Sequence, residues 1–414
     1  MLKENCIYAA ADFVNSAMSA GPRIPQVGTR EWLLDPAPWY DFMRRNAPIN
    51  FTEQAGSWWV FKYSDVENVL TKFRTFSSNF GGYERRGNAA TNQDKEPAGS
   101  TIGMSMIGTD PPLHTKLRNM VSKSFTPKAI DLLEPRITEI ASGLLEQMER
   151  KKSFDFISEL AEPLPVTVIA EMLGIPTSDR KKFKQWSDSI VGASESAGLE
   201  TNLELSQYFG KIVEERSRDP KDDLISSVIN QEVDGQKLNH EEVIGFCILL
   251  LVAGNETTTN LLGNAIDLFS KYDSFRQLKS DPSLMEGAIE EVLRFSSPVK
   301  GMIRICTSDT ELGGKKIRAG QGLMAWIGSA NRDETVFTNA DKFDIARKPN
   351  PHIAFGHGIH MCLGAPLARL EAKVALRLFV ERYGNRRIEI DRDELVPMSS
   401  FIIHGLKHLP VHAD

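Results

Sequence analysis

The feature that most restricts what this chain can be is a single cysteine, Cys362, in the segment NPHIAFGHGIHMCLGAPLARLEA (350–372). Apolar residues recur at helical spacing after it, from Leu363 to Val374, and Pro366 suits a first helical turn. The pattern predicts a cysteine in a glycine-rich loop at the N-terminus of a helix. Free backbone N–H groups and the helix dipole stabilise a thiolate at such a position.

Three interpretations of this loop are open from the residues alone. A structural zinc site would use His352, His357, His360 and Cys362. Zinc sites of this kind usually draw ligand pairs, often cysteines, from separate segments, and this chain has no cysteine pair; the histidines of the tail (404–412) have no thiol beside them. A buried, unreactive thiol is the second interpretation. The third is a thiolate held under a planar macrocycle.

The third interpretation explains the glycines, because a backbone without Cβ atoms can approach something flat and bulky. The loop resembles the haem-binding loop of the cytochrome P450 monooxygenases, whose pattern is Phe-x-x-Gly-x-(Arg/His)-x-Cys-x-Gly. Phe355, Gly358, His360, Cys362 and Gly364 match it. The resemblance implies haem b (iron protoporphyrin IX) as cofactor and Cys362 as the ligand of its iron, with Phe355, Gly356 and Gly364 beside the haem.

A second, independent motif lies in FCILLLVAGNETTTNLLGNAI (246–266), which is predicted to be a long buried helix. Gly254 lowers helix propensity by about 1 kcal/mol relative to alanine, and the Glu256 carboxylate is costly in apolar surroundings unless something compensates for it. A polar helix face would explain Glu256 but not Gly254. We expect Ala253 and Gly254 to leave room above a flat cofactor, and Thr257 to hydrogen-bond the carbonyl four residues earlier.

This segment also resembles the family, whose oxygen-activating helix carries an Ala/Gly-Gly-x-Asp/Glu-Thr motif. Ala253-Gly254-Asn255-Glu256-Thr257 matches it fully. The resemblance implies that Thr257 stabilises oxygen bound at the iron and that Glu256 takes part in proton delivery. It further implies a mainly α fold with a small β portion, in one domain over residues 1–414. The haem would lie between this helix and the helix after the cysteine loop.

The segment EEVLR places Glu291 and Arg294 at i, i+3, a spacing that by itself indicates a surface ion pair. In the family, a Glu-x-x-Arg pair is internal and supports the haem-loop side of the fold. A third basic residue there comes from a Pro-Glu-Arg-Phe segment. Here that segment reads ADKF (340–343), so the expected third member is either Lys342 or Arg347.

Haem carries two carboxylates, which a chain of net charge −6 must neutralise locally. The segment DPPLHTKLR places His114 and Arg118 on one face of a predicted helix that begins near Asp110. The resemblance assigns these two residues, together with Arg304 and His360, to the haem carboxylates. Many relatives have arginine at position 360, so histidine makes that contact dependent on protonation.

The chain is predicted to be mainly helical from Pro111 to about Phe295, with breaks at GIPTSDR (174–180) and GASESAGLE (192–200). Hairpins are predicted in three places, with the β portion at either end of one helix-rich domain: residues 49–63, residues 303–327 around Gly313-Gly314, and the tail 401–411. The polar segment 81–101 is interpreted as a mobile loop. The segments 81–107 and 192–200 are expected to form a moving lid.

The acidic balance argues against a duplex nucleic-acid partner. The four cysteines show no paired spacing, which argues against a secreted disulfide framework. The N-terminal residues are a poor signal or anchor, and the longest apolar run, Val243 to Ala253, is too short to span a bilayer. We therefore expect a soluble, cytoplasmic monomer without a membrane or nucleic-acid partner.

The resemblance implies insertion of one oxygen atom of O2 into a C–H bond. The sequence contains neither a Gly-rich dinucleotide fingerprint nor iron–sulfur cysteine spacing, so we expect electrons from an external ferredoxin and a reductase. Lys116, Lys123 and Lys373 are candidate docking residues. Two rival functions remain. One is a peroxide-driven peroxygenase, in some of which the acid–alcohol pair is replaced; the other is a non-catalytic haem-thiolate sensor or carrier.

Positions in the family also indicate a substrate pocket. Its walls would be apolar and would suit a steroid, a terpenoid or a fatty-acid chain, although apolar residues are more often simply core. Besides Ala253, the expected wall residues are Leu249, Val252, Val299, Met302, Ile303, Ile402 and Ile403.

Overall fold

The computed structural model describes residues 24–79, 106–179, 182–183, 185–186, 195–233 and 235–414. Helices dominate it, as predicted for the stretch from Pro111 to Phe295. The α-helices of the described residues are Arg30–Leu34, Ala37–Asn46, Tyr63–Thr71, Leu113–Ser122, Pro127–Asp131, Glu134–Met148, Pro163–Met172, Glu195–Arg218, Leu224–Asn230, His240–Lys271, Phe275–Ser280, Met285–Phe295, Ile327–Ala330 and Ala365–Tyr383.

The strands of the described residues form four small sheets. The largest has the order β1-β2-β8-β5-β3, in which β2 pairs with β8 in parallel and the other pairs are antiparallel. The others are β4-β12-β9, β10-β11 and the hairpin β6-β7. The bounds are β1 Ile49–Thr52, β2 Ser57–Val60, β3 Phe76–Ser77, β4 Ser153–Asp155, β5 Met302–Cys306, β6 Thr310–Leu312, β7 Lys315–Ile317, β8 Gly322–Ala325, β9 Ile388–Glu389, β10 Val396–Pro397, β11 Leu406–His408 and β12 Pro410–Ala413.

The hairpins predicted at 49–63 and around Gly313-Gly314 are confirmed. The β segments predicted near the two ends of the chain join in the five-stranded sheet. One expectation about the β portions was wrong. The tail 401–411 does not form its own hairpin, because β11 pairs with β10 and β12 pairs with β4 and β9.

The expected lid segments are only partly described. Residues 81–101 lie outside the described residues, as do 192–194. The predicted break at 192–200 was too long, because the helix Glu195–Arg218 already begins within it.

The longest helix, His240–Lys271, passes through the middle of the main hydrophobic cluster. It begins at a capping box: the Asn239 side chain accepts the N–H of Glu242, and the Glu242 carboxylate accepts the N–H of Asn239. By length and composition alone this helix could cross a membrane. The sequence prediction had considered only the shorter run Val243 to Ala253, which is too short to do so. The most apolar stretch of the helix is 56% buried inside the protein, as the core helix of a soluble protein would be.

Candidate active site

The cysteine loop is closed by a hydrogen bond from the backbone N–H of Cys362 to the carbonyl of Phe355, at 2.8 Å. Gly356 and Gly358 have φ angles of 73° and 72°, a region that residues with a Cβ rarely adopt. The helix Ala365–Tyr383, hereafter the cysteine helix, follows directly and has proline in its first turn. The predicted loop and helix start are confirmed. The positive φ angles of Gly356 and Gly358 are a second reason for glycine at these two positions.

Cys362 is exposed to solvent, although protein segments surround its thiol closely enough to desolvate it. This burial raises its pKa, and the backbone N–H of Gly364, the charges of Arg118 and Arg369, and the N–H of Ala365 act against that rise. Among the described residues, no three His, Cys, Asp or Glu side chains are grouped as a metal site would require, which argues against the zinc interpretation. The loop thus presents one sulfur with two guanidiniums and two N–H groups that favour its anionic form.

The four residues expected at the haem carboxylates come together in space. The rings of His114 and His360 are 4.4 Å apart between centroids. Burial lowers the pKa of His360 to about 3, and the charges of Arg304, His114 and Arg118 act in the same direction. Burial is also the main reason why the pKa of Arg304 falls to about 10 and why that of His114 falls. We call these four residues the donor cluster.

The donor cluster has little to donate to within the described residues. The Nε2 atoms of His114 and His360 are buried and have no hydrogen-bond partner there. Arg304 donates to its neighbour's carbonyl, Ile303, at 2.8 Å, and Arg118 donates to the carbonyl of Met361 at 2.7 Å. Neither arginine has an ion-pair partner in the described part of the chain. Buried donors of this kind call for an anion, and the two haem carboxylates fit that requirement.

The motif in the long helix lies next to the cysteine helix. Thr258 hydrogen-bonds Glu371 of the cysteine helix, a buried carboxyl whose pKa burial raises to about 8. One residue earlier, the Thr257 hydroxyl donates to the carbonyl of Ala253 at 2.9 Å, as predicted. Ala253 itself is exposed. The carboxylate of Glu256 accepts a hydrogen bond from Asn260 Nδ2 at 3.4 Å. The acid and the alcohol therefore lie on a part of the helix that is only partly buried.

Gly254 has a structural reason that was not expected. A Cβ at this position would lie 3.1 Å from Cδ1 of Ile169, in the helix Pro163–Met172. The glycine thus allows two helices to pack closely, while the exposed Ala253 is the small residue that leaves space beside the helix. Long-range helix packing of this kind has no signal in the local sequence.

Glu291 and Arg294 are fully buried, with no exposed side-chain surface, so the pair does not lie on the surface as its spacing alone suggested. Arg294 binds Glu291 through two hydrogen bonds of 2.8 Å and donates to three backbone carbonyls. Arg347 is the third member, since its Nε lies 3.0 and 3.1 Å from the Glu291 oxygens. Lys342 contributes only its backbone carbonyl.

The expected pocket residues share one property: each is partly exposed rather than fully buried, as the wall of a cleft would be. Val299 and Ile403 also form a β-bridge, which joins the segment after Phe295 to the tail. The seven residues are Leu249, Val252, Val299, Met302, Ile303, Ile402 and Ile403.

One group near the cysteine was missed from the sequence. Arg369, on the cysteine helix, stacks on the ring of Phe355 at 4.5 Å and binds Glu290 through two hydrogen bonds of 2.7 and 2.8 Å. His352 contacts the same carboxylate at 2.9 Å. The only local signal was the first glutamate of EEVLR, Glu290, which the Glu-x-x-Arg pattern does not use.

One accessible sulfur beside four buried or half-buried donors, in a helix-rich fold, fits a haem-thiolate protein. Comparison with known proteins agrees. The sequence model of the family described as "Cytochrome P450" matches residues 277–404. The chain is 42% identical to "Cytochrome P450 109" of Bacillus spizizenii, over 91% of this chain and 92% of that one. It is 38% identical to the "Erythromycin C-12 hydroxylase" of Saccharopolyspora erythraea, over 96% and 98%.

A solved structure is similar throughout its length. The crystal structure of CYP109E1 from Bacillus megaterium in complex with testosterone shares 41% identity and a TM-score of 0.85, and covers 93% of this chain and 100% of that one. The chain belongs to the cytochrome P450 family. It is a haem-dependent monooxygenase, and its cofactor is haem b.

Proposed function

We propose that this monooxygenase hydroxylates a lipophilic molecule of the steroid, terpenoid or fatty-acid type, with electrons from an external ferredoxin and its reductase. The observation that carries the proposal is the donor cluster beside Cys362: four buried or half-buried donor side chains without an ion-pair partner among the described residues, next to one sulfur that two N–H groups and two guanidiniums help to hold as an anion. Bound haem supplies the activation of O2 and the insertion of one oxygen atom into a C–H bond. The protein supplies position, protons and shielding from water.

Each residue near the haem then has a separate task. Cys362 is the ligand of the iron, with its negative charge supported by N–H groups of the cysteine helix. His114, Arg118, Arg304 and His360 would hold the two carboxylates. Because burial keeps both histidines neutral, each can donate from one ring nitrogen without adding an unpaired charge.

Thr257 and Glu256 are proposed to handle protons. The Thr257 hydroxyl is tied to Ala253 in this structure, but a hydroxyl rotor can also accept or donate elsewhere. Glu256 lies beside it on a partly buried helix face. An acid and an alcohol at this place would relay protons to the reacting oxygen.

The substrate class rests on two supports. The seven expected wall residues are apolar and partly exposed. CYP109E1, the structural relative, has been crystallised with testosterone and with corticosterone, both compact lipophilic molecules. An apolar wall of this kind favours such a molecule over a sugar or a nucleotide.

For the electron donor, two of the three candidate docking lysines are already engaged. Lys116 pairs with Glu242 and Lys373 with Glu286. We further propose a cytoplasmic, monomeric enzyme in which residues 1–414 form one domain. The sheet that joins β1 and β2 to β5 and β8 supports one domain, because it contains strands from both ends of the chain.

The proposal is tested with Thr257→Ala and its matched control Thr259→Ala. Thr259 makes the same bond to the carbonyl four residues earlier, to Asn255 at 3.1 Å, but it is buried. We expect Thr257→Ala to retain haem and to consume electrons while product per electron falls several-fold. Thr259→Ala should keep the wild-type ratio. An unchanged ratio in Thr257→Ala would remove the proton-delivery role, and equal turnover with peroxide alone would favour a peroxygenase.

The ligand role of Cys362 has its own readout. Reduced, carbon-monoxide-treated protein should show the long-wavelength band typical of thiolate ligation, and Cys362→His should lose that band while it still binds haem. A sample without the band, or one that carries zinc instead of haem, would contradict the proposed centre. Titration of lipophilic compounds against the haem absorption band would then identify the substrate class.

A further inference from the structure

A second cavity, of about 520 Å³, lies between the first helices of the described chain and the C-terminal end of the long helix. The end of the helix Met285–Phe295 and the segment around His404 close it. None of its described lining residues belongs to the cysteine loop or to the motif 253–257, so it is separate from the proposed active site.

Besides the exposed Lys271, two cations that are buried or half-buried line this cavity without an ion-pair partner among the described residues. Lys300 is only 1% exposed; its Nζ donates to the carbonyl of Ser400 at 2.7 Å and lies 4.3 Å from the Trp32 ring centroid. The guanidinium of Arg332 stacks on Phe295 at 3.3 Å and donates from Nε to the Phe295 carbonyl. Among the described residues, neither has an ion pair. A buried cation without a counter-charge is costly, so an anion in this cavity would be stabilised.

A third group in the wall also lacks a partner. The hydroxyl of Tyr40 is buried, lines the cavity and has no hydrogen-bond partner in the described part of the chain. Burial raises the pKa of Tyr40, so the hydroxyl stays protonated and can donate. Lys300, Arg332 and Tyr40 therefore offer donors of both kinds, charged and neutral.

The carboxylates that line the cavity have other tasks. Asp35 accepts the backbone N–H of Ala37 at 3.1 Å and acts on Arg332 only through its charge, without an ion pair. Asp267 pairs with Arg392. Asp41 and Glu334 pair with Arg44 and Arg45, while Asp341 is exposed. None of them reaches Lys300 or Arg332 at ion-pair distance.

We propose that this cavity binds a small organic carboxylate, with its charged end beside Lys300, Arg332 and Tyr40. The volume exceeds that of an inorganic oxyanion several-fold, and the rings of Phe295 and Tyr272 in the wall suit an apolar body. An aryl carboxylate such as benzoate combines both features. Its neutral analogue benzamide has the same shape but no charge.

The protonation states of the basic residues in the cavity wall give a second way to detect carboxylate binding. Burial lowers the pKa of Lys300 to about 7, while that of Arg332 falls only to about 10 and that of His404 falls to about 3. At pH 8, Arg332 is charged, His404 is neutral and Lys300 is largely neutral. A bound carboxylate would favour the charged form of Lys300, so binding should take up a proton from the buffer.

The test is calorimetric titration of the haem-loaded enzyme with benzoate, with imidazole on the iron to occupy the active site. We expect saturable binding of benzoate, at least tenfold weaker binding of benzamide, and no change in the haem absorption band. At pH 8 the binding heat should depend on the ionisation enthalpy of the buffer. Absence of saturable heat, equal binding of the two compounds, or displacement of imidazole would overturn the proposal.

Three variants locate the site. Lys300→Met keeps the length of the side chain and should weaken benzoate binding at least about tenfold and remove the buffer dependence. Tyr40→Phe removes one oxygen and should weaken it about threefold to tenfold. Lys271→Met changes an exposed lysine of the cavity mouth and should leave affinity within about twofold. If Lys300→Met does not fold, wild-type affinity in Tyr40→Phe is sufficient to reject the site.

Discussion

Two buried arginine clusters flank the cysteine loop, and they differ in one respect. Arg294 is fully buried and all its bonds end on the protein: one carboxylate, shared with Arg347, and three carbonyls. Arg304 is 3% exposed and, within the described residues, has one carbonyl of its neighbour and no carboxylate. The burial of the two arginines is nearly equal. Arg294 binds a carboxylate directly, whereas Arg304 has no ion-pair partner among the described residues and only the charge of Asp110 acts on it from a distance. A missing ion-pair partner, not burial, marks the place where a charged ligand belongs.

The largest effect is expected where the counter-charge is present. Arg294→Ala leaves the buried Glu291 with one cation fewer, and loss of one partner of a buried pair typically costs about 3–5 kcal/mol. Denaturant unfolding should show this loss. Arg218→Ala, in the exposed i, i+4 pair with Glu214, should cost less than about 1 kcal/mol. A small loss in Arg294→Ala would abolish the contrast between the clusters.

The second effect concerns the cluster without a counter-charge. Arg304→Leu should accelerate haem loss about 10- to 100-fold, since a hydrogen bond to a charged group contributes about 1.5–3 kcal/mol. Haem transfer to an acceptor protein measures this rate. The unfolding free energy of the haem-free protein should not fall, because the change removes a buried, unpaired charge. Arg318→Leu, an exposed arginine, is the control, and a loss of haem-free stability comparable with that of Arg294→Ala would refute the distinction.

The third effect concerns the second cavity, whose cations Lys300 and Arg332 also lack an ion-pair partner among the described residues. Burial, with help from Lys300 and Arg332, lowers the pKa of His404 from 6.5 to about 3. Below pH 6.5 the unfolded chain binds a proton that the folded chain refuses, so stability falls as pH falls. One pH unit below 6.5 the loss should be about 1.4 kcal/mol. His404→Gln should remove this part of the pH dependence, whereas His240→Gln, an exposed histidine, should keep it.

The smallest effect is expected for Lys342, which is compared with Arg347 in the ion-paired cluster around Glu291. Lys342 is exposed and gives only its backbone carbonyl to the Glu291 network, so Lys342→Met should change the unfolding free energy by less than about 0.5 kcal/mol. Arg347→Met removes a side-chain partner of Glu291 and should cost about 1.5–3 kcal/mol. Equal effects of the two changes would mean that Arg347 is not the third member.

The sequence predicts the local parts of this site well. The cysteine loop, the start of its helix and the Thr257 bond to Ala253 all depend on residues within a few positions of one another. Such contacts follow from helical periodicity and from glycine conformation, which a sequence displays directly. For the same reason the hairpin at Gly313-Gly314 was predicted correctly.

The parts that were missed depend on contacts between distant segments. Whether Lys342 or Arg347 reaches Glu291 depends on how a loop without regular structure folds back on a helix. The role of Gly254 depends on Ile169, about 85 residues earlier. The tail strands likewise take partners from elsewhere in the chain instead of from each other. No periodicity encodes these pairings.

The order of strands in the large sheet has a consequence for synthesis on the ribosome. β2 needs β8 as its parallel neighbour, and roughly 260 residues separate them. At 5–20 residues per second, the first hairpin would wait roughly 13 to 50 seconds after translation before its partner emerges. Until then the edge of β2 lacks its partner strand, and an unpaired strand edge is a site where a nascent chain can associate with another chain.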